Sequence, residues 1–199
     1  MCRLIESIKI VNWQLQNIAY HNERLNKSRK ELFGIDTDVD LSELILLPAD
    51  LDSGTYKCRI VYSNIVHSIE FLPYIPRKVN SLKLVKSDNI QYSYKYEDRS
   101  CFKDLMKNIQ EDDILIIKNG FITDTSFSNI VFFNGSNWIT PSTCLLNGTM
   151  RRFLLDTKKI LSRDIRMEDI PDFESFKLIN AMLGLENSEP ITIKNINSI

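Results

Sequence analysis

Asp113-Ile114-Leu115-Ile116-Ile117-Lys118-Asn119-Gly120-Phe121-Ile122-Thr123-Asp124-Thr125-Ser126-Phe127-Ser128-Asn129-Ile130 is the stretch that decides the fold class of this chain. Its first six residues are a short, nearly continuous apolar strand, and Asn119-Gly120 is a hairpin dipeptide because both residues tolerate positive φ. Outward from it the same grammar repeats. Residues 130–133 and 137–140 bracket a second turn at Asn134-Gly135, and residues 55–62 and 67–74 are β-rich runs flanking a short polar turn. Strands that cluster as hairpins predict a mixed, hairpin-rich α/β fold with antiparallel or mixed sheets, not a doubly wound parallel one. Residues 4–11, 81–85, 177–182 and 191–194 read as further strands.

Three helices complete the reading. Residues 20–33 place Leu25, Leu32 and Phe33 on one side and stop at Gly34, and residues 99–109 turn Leu105, Met106 and Ile109 inward. A third helix starts near Thr149 and runs to about Leu161. Pro73, Pro76 and Arg77 close the first hairpin unit, and Lys86-Ser87-Asp88-Asn89 is the best linker. The expected division is a smaller N-terminal α/β domain over 1–86 and a larger C-terminal domain over 90–199.

The 199 residues suffice for a real core, as one large domain or two small ones. A formal net charge of −1 argues against nucleic acid or an anionic membrane as the main partner. Cys2, Cys58, Cys101 and Cys144 form no CxxC pair and fit reduced thiols better than a disulfide framework. With only His21 and His67, a histidine-rich zinc site is not expected. Residues 1–6 lack the long apolar region of a signal peptide, and no apolar run approaches the roughly 20 residues of a membrane span. The chain reads as soluble and cytoplasmic. Neither GxGxxG nor GxxxxGK[ST] occurs, so the common nucleotide loops are excluded.

Four segments carry chemistry: Tyr94-Lys95-Tyr96-Glu97-Asp98-Arg99, the Asp124 loop quoted above, Asn147-Gly148-Thr149-Met150-Arg151, and Ile179-Asn180-Ala181-Met182. Alone, Lys95 is a solvated lysine and Asp124 a turn residue. In this order they are a kit for pyridoxal phosphate: a lysine for the Schiff base, an acid for the pyridine nitrogen, and backbone N–H groups at a helix start for the phosphate. Such a lysine needs a lowered pKa, which burial and neighbouring cations supply.

These motifs resemble the class IV aminotransferase family, fold-type IV pyridoxal-phosphate enzymes, from about Leu4 to about Leu185. The family includes branched-chain and D-amino acid aminotransferases and 4-amino-4-deoxychorismate lyases. The resemblance implies a two-part enzyme with the cofactor held between its parts, a small-molecule amino substrate and a homodimer. Lys95 falls at the family's Schiff-base lysine and Asp124 at its pyridine acid. Thr149 and Met150 fall where backbone amides contact phosphate. His21-Asn22-Glu23-Arg24-Leu25 matches a His-x-x-Arg-Leu helix in which Arg24 binds phosphate, and His21 packs or caps beside it. Ser126 is a candidate cofactor contact, whereas Ser128 and Asn129 fit capping and closing of the loop. Asn180 suits either phosphate or substrate contact, or bracing of the backbone, and Arg59 aligns with a strand on the substrate side that takes a carboxylate. Lys95-x-x-Asp98-Arg99 and Asn180-Ala181 sit nearer the lyase members, which release pyruvate and 4-aminobenzoate on the route to folate. Transamination of a branched-chain or D-amino acid, and a cofactor-binding protein without turnover, are the alternatives. Two departures stand out. Only Glu6-Ser7 remains of a longer Gly-Asp-Gly opening, and an aspartate replaces the family's usual glutamate at 124.

Overall fold

The computed structural model describes residues 2–49 and 51–198. Contacts divide the chain into two compact units, Met1–Pro76 with Tyr94–Asp98, and Arg77–Ser93 with Arg99–Ile199.

The first unit runs β1 (Leu4–Val11), β2 (Gln14–Leu15), α1 (Ile18–Phe33), α2 (Leu41–Leu44), β3 (Thr55–Tyr62) and β4 (Val66–Pro73). Its sheet has the order β2-β1-β3-β4 and is antiparallel throughout, with β1 and β3 paired from Leu4↔Tyr62 to Val11↔Thr55. The two-residue period of β1 puts Leu4, Glu6, Ile8 and Ile10 on one face, and all four are buried. Leu25, Leu41, Cys58, Ile60 and Tyr62 complete that core. In α1, His21, Leu25 and Ser28 follow the three- and four-residue spacing of a single helix face and are buried. Gly34 ends the helix in the left-handed region at φ 68°, its N–H bonding to the carbonyls of Arg29 and Lys30. The strand and helix expectations for this stretch hold; the short α2 and β2 carry too few residues to show a period.

The second unit adds β5 (Leu82–Lys86), α3 (Ser100–Leu105), β6 (Asp113–Lys118), β7 (Phe121–Thr125), β8 (Asn129–Phe133), β9 (Trp138–Pro141), α4 (Thr149–Asp156), β10 (Leu161–Arg163), β11 (Ser175–Ile179), β12 (Ile191–Thr192) and β13 (Ile196–Asn197). It holds two sheets, β13-β5-β6-β7 and β10-β9-β8-β11-β12. Both are mixed: β13, β5 and β6 run parallel while β7 returns antiparallel, and β10 is parallel to β9. At the β6–β7 hairpin Asn119 and Gly120 have φ 52° and 82°, the pair of positive values that a type I′ turn demands. Leu82, Leu115, Ile122, Ile130, Phe132 and Phe176 are the centre of its core.

Several expectations are corrected. Residues 82–86 pair in parallel with β6 and so belong with the second unit rather than the first. The helix expected over 99–109 covers only Ser100–Leu105 and buries Phe102, not Leu105, Met106 and Ile109; the chain leaves the helix before Asn108 turns left-handed at φ 64°. The helix expected to reach Leu161 ends at Asp156. Lys158 turns left-handed at φ 56°, Ile160 drops into a cluster with Val131, Leu154 and Ile179, and Leu161–Arg163 becomes β10. The strand expected over 191–194 shortens to Ile191–Thr192 before a 3₁₀ turn, and β13 follows it. No helix of the described residues is long and apolar enough to cross a membrane.

Candidate active site

In the first unit the segment of Lys95 is stitched to the start of β1. The Ile5 N–H donates to the Lys95 carbonyl at 2.9 Å, the Glu97 N–H donates to the Arg3 carbonyl at 2.9 Å, and Leu4 bridges Tyr96. Beside this seam lies a buried ionic cluster. Arg24 donates Nε to Glu6 Oε1 at 2.8 Å and Nη2 to Oε2 at 2.5 Å, and His21 Nδ1 sits 2.5 Å from Glu6 Oε2. Burial alone would raise the Glu6 carboxyl, but the charge of Arg24 and the hydrogen bonds from His21 and Arg24 outweigh it and hold Glu6 at about 2. His21 is also shifted downward: burial lowers its pKa against the pull of Glu6, and the charges of Arg24 and Lys95 lower it further. In the sequence the strand parity of Glu6 is the signal that it faces inward.

This geometry revises two readings. One edge of the Arg24 guanidinium is bound to Glu6, so a phosphate would meet the rest of an arginine already fixed in place. Arg59 donates to Glu97 Oε1 at 2.7 Å and to Glu70 Oε2 at 3.4 Å, so a substrate carboxylate there would have to displace an acid of the same unit. Glu6→Ala is expected to cost about 3–5 kcal/mol, because it takes from a largely buried guanidinium the carboxylate that holds it. Urea unfolding at pH 7 measures it. The Glu6 folded pKa lies below its ordinary 4.5, so the loss is full above about pH 4.5 and fades as pH falls toward about 2.

In the second unit Asp124, on β7, is buried against neutral donors. Asn129 Nδ2 donates to its Oδ1 at 2.7 Å and the Leu146 N–H to its Oδ2 at 2.9 Å. Burial pushes the carboxyl up to about 6, opposed by those two donors and, at longer range, by Arg151. No ion pair among the described residues includes Asp124. Arg151 is itself buried, and its guanidinium is spent on Asn147 Oδ1, the Pro141 carbonyl and Thr140 Oγ1, which ties the first turn of α4 to β9. Gly148 precedes α4 and offers no side-chain cap, and a helix start of this kind is where backbone amides can bind an anion.

Asn180 takes the bracing alternative. Its Oδ1 accepts from the N–H groups of Met182 and Leu183, and its Nδ2 donates to Ser128 Oγ at 2.8 Å. Ser126 is buried, and its carbonyl accepts from Arg99 Nη2. Burial raises the carboxyl of its neighbour Asp113 against the weaker pull of the Ser126 hydroxyl, and neither Asp113 oxygen reaches a partner at hydrogen-bond distance. Asn129 holds Asp124 directly, which its place at the end of a small-hydroxyl loop does not reveal.

A buried acid with no ion-pair partner among the described residues, placed in the same unit as an uncapped helix start, suits a ligand that is cationic at one end and anionic at the other. The ring nitrogen and phosphate of pyridoxal phosphate fit that description. Residues 94–186 match the family model for amino-transferase class IV. An uncharacterized protein of Haemophilus influenzae is 40% identical over 188 residues, covering 93% of this chain and all of that protein. The crystal structure of a "putative 4-amino-4-deoxychorismate lyase" from Haemophilus somnus 129pt superposes with a TM-score of 0.85 at 36% identity, covering 93% of this chain and 98% of that one. The PLP-bound form of a hypothetical aminotransferase from Mycobacterium tuberculosis shares the fold, with a TM-score of 0.74 at 14% identity over 98% of this chain and 81% of that one.

Proposed function

Because this chain belongs to the class IV aminotransferase family, and is an enzyme of that family's lyase or aminotransferase kind, we propose that it binds pyridoxal 5'-phosphate and acts as a 4-amino-4-deoxychorismate lyase. The buried Asp124 carboxylate, whose hydrogen bonds come from neutral donors, is the observation that carries the cofactor reading. Pyridoxal phosphate, when bound, supplies a ring that draws electrons from the reacting carbon of the substrate. Asp124 would hold a proton on the ring nitrogen. The amides of Thr149 and Met150 would bind phosphate oxygens, and the family resemblance gives Arg24, preset by Glu6, a phosphate role as well. Lys95 would hold the cofactor through its amine, and its Nζ, when free, would carry the proton at the reacting carbon. As the family implies, the enzyme works as a homodimer.

Two features favour lyase over transaminase chemistry. Lys95-x-x-Asp98-Arg99 and Ile179-Asn180-Ala181 resemble the lyase patterns Lys-x-x-Asn-Arg and Cys-Asn-Ala more than those of branched-chain enzymes, and the 36%-identical relative, matched over 98% of its length, carries the lyase description. Elimination needs one bound substrate and one proton shuttle, whereas transamination needs the site to accept two substrates in turn. Purified protein loaded with pyridoxal phosphate is expected to release pyruvate from 4-amino-4-deoxychorismate with no 2-oxo acid added. Pyridoxamine phosphate that accumulates in a single turnover, and is consumed on adding 2-oxoglutarate, overturns the lyase reading and leaves the family assignment standing.

A further inference from the structure

We propose that Asn129 is the positioning residue that locks Asp124 and the opening of α4 into one element, so that a single side chain sets both the ring-nitrogen acid and the phosphate-end amides. This rests on the cofactor reading above. Asn129 is the first residue of β8 and is buried. The two hydrogens of its Nδ2 are both used, one on Asp124 Oδ1 at 2.7 Å and one on the Leu146 carbonyl at 2.8 Å. The Leu146 N–H returns to Asp124 Oδ2 at 2.9 Å and closes a ring of three hydrogen bonds. A flipped amide would set its oxygen against a carboxylate and a carbonyl, so the partners fix its orientation.

The other end of the same amide explains Gly148. A Cβ built on Gly148 would collide with Asn129 Oδ1. The backbone there, φ −64° and ψ 148°, is open to any residue, so glycine answers to space and not to conformation. Asp124, Asn129 and Gly148 therefore form a continuous packed path from the acid to the helix that begins at Thr149. The titratable neighbours of Asp124 do not substitute for Asn129. Arg151 is committed to Asn147, Pro141 and Thr140, and burial pushes the Cys144 thiol up to about 11, which leaves it neutral.

Two variants test the proposal. Asn129→Ser keeps one donor where two are needed, and Gly148→Ala removes no polar group but displaces the amide. In the cofactor-free protein, the side-chain ¹³C carboxyl signal of Asp124 is expected to titrate about one unit higher in both variants than in the wild type. On adding pyridoxal phosphate labelled with ¹⁵N in the ring, both variants are expected to bind on the order of ten-fold more weakly and to shift the ring signal toward the unprotonated form. An unchanged Asp124 midpoint in both variants overturns the positioning role. A moved midpoint with unchanged affinity overturns the link from Asn129 to α4. Moved midpoints alongside a wild-type protein that takes up no pyridoxal phosphate overturn the cofactor reading and leave Asn129 as the residue that holds Asp124.

Discussion

Lys95→Ala is expected to abolish the visible absorbance of the cofactor-loaded protein and to lower turnover by at least about 10³-fold, since a positioned proton carrier alone is worth roughly 10²–10⁴. The fold should survive. What anchors this segment is its backbone, through the Ile5–Lys95 and Glu97–Arg3 hydrogen bonds and the Leu4–Tyr96 bridge, and none of these needs the Lys95 side chain. Far-UV circular dichroism of the variant should therefore match the wild type. Borohydride reduction of the loaded wild type followed by peptide mapping should place the label on Lys95. Unchanged absorbance in Lys95→Ala, with the label on another lysine, would move the covalent bond elsewhere and end the site assignment.

Much of this architecture is legible because its turns are chemically explicit. Asn119-Gly120 and Asn134-Gly135 name their hairpins, and the apolar run of β6 and the alternation of β1 mark their strands. What escapes the sequence depends on residues distant along the chain. The end of α4 is set by a left-handed lysine, Lys158, where glycine is the usual signal, and by burial of Ile160 against β8 and β11. β5 stands next to a Pro-marked boundary but is claimed by β6, a partner some thirty residues on. The site divides in the same way. Lys95, Asp124 and the Gly148 helix start show in the order of motifs. The supporting side chains Glu6, Asn129 and Arg151 do not, because their types are common and only their partners give them meaning. For Arg59 and Asn180, local context points to ligands where the folded chain supplies its own carboxylates and amides.

Asp124→Asn is expected to keep the covalent cofactor absorbance and lose turnover on the order of 10²-fold. The magnitude follows from the cost of the buried charge. Its carboxyl lies at about 6 against an ordinary 3.8, a difference of about two units or about 3 kcal/mol. A protonated ring nitrogen would recover that energy, and each 1.4 kcal/mol lost from a transition state is about tenfold in rate. The same shift has a sign that cofactor-free protein can report. A raised folded pKa means the unfolded chain ionises first, so charged Asp124 destabilises the fold above about pH 4, and fully above about pH 6. The stability of Asp124→Asn relative to the wild type should therefore fall by up to about 3 kcal/mol as pH drops from about 8 to about 4, and most of that change should disappear once pyridoxal phosphate is bound. Urea titrations of both proteins at each pH measure it, with and without cofactor. A flat difference across that range would mean that Asp124 carries no uncompensated charge, and full turnover in Asp124→Asn would mean that another group holds the ring nitrogen.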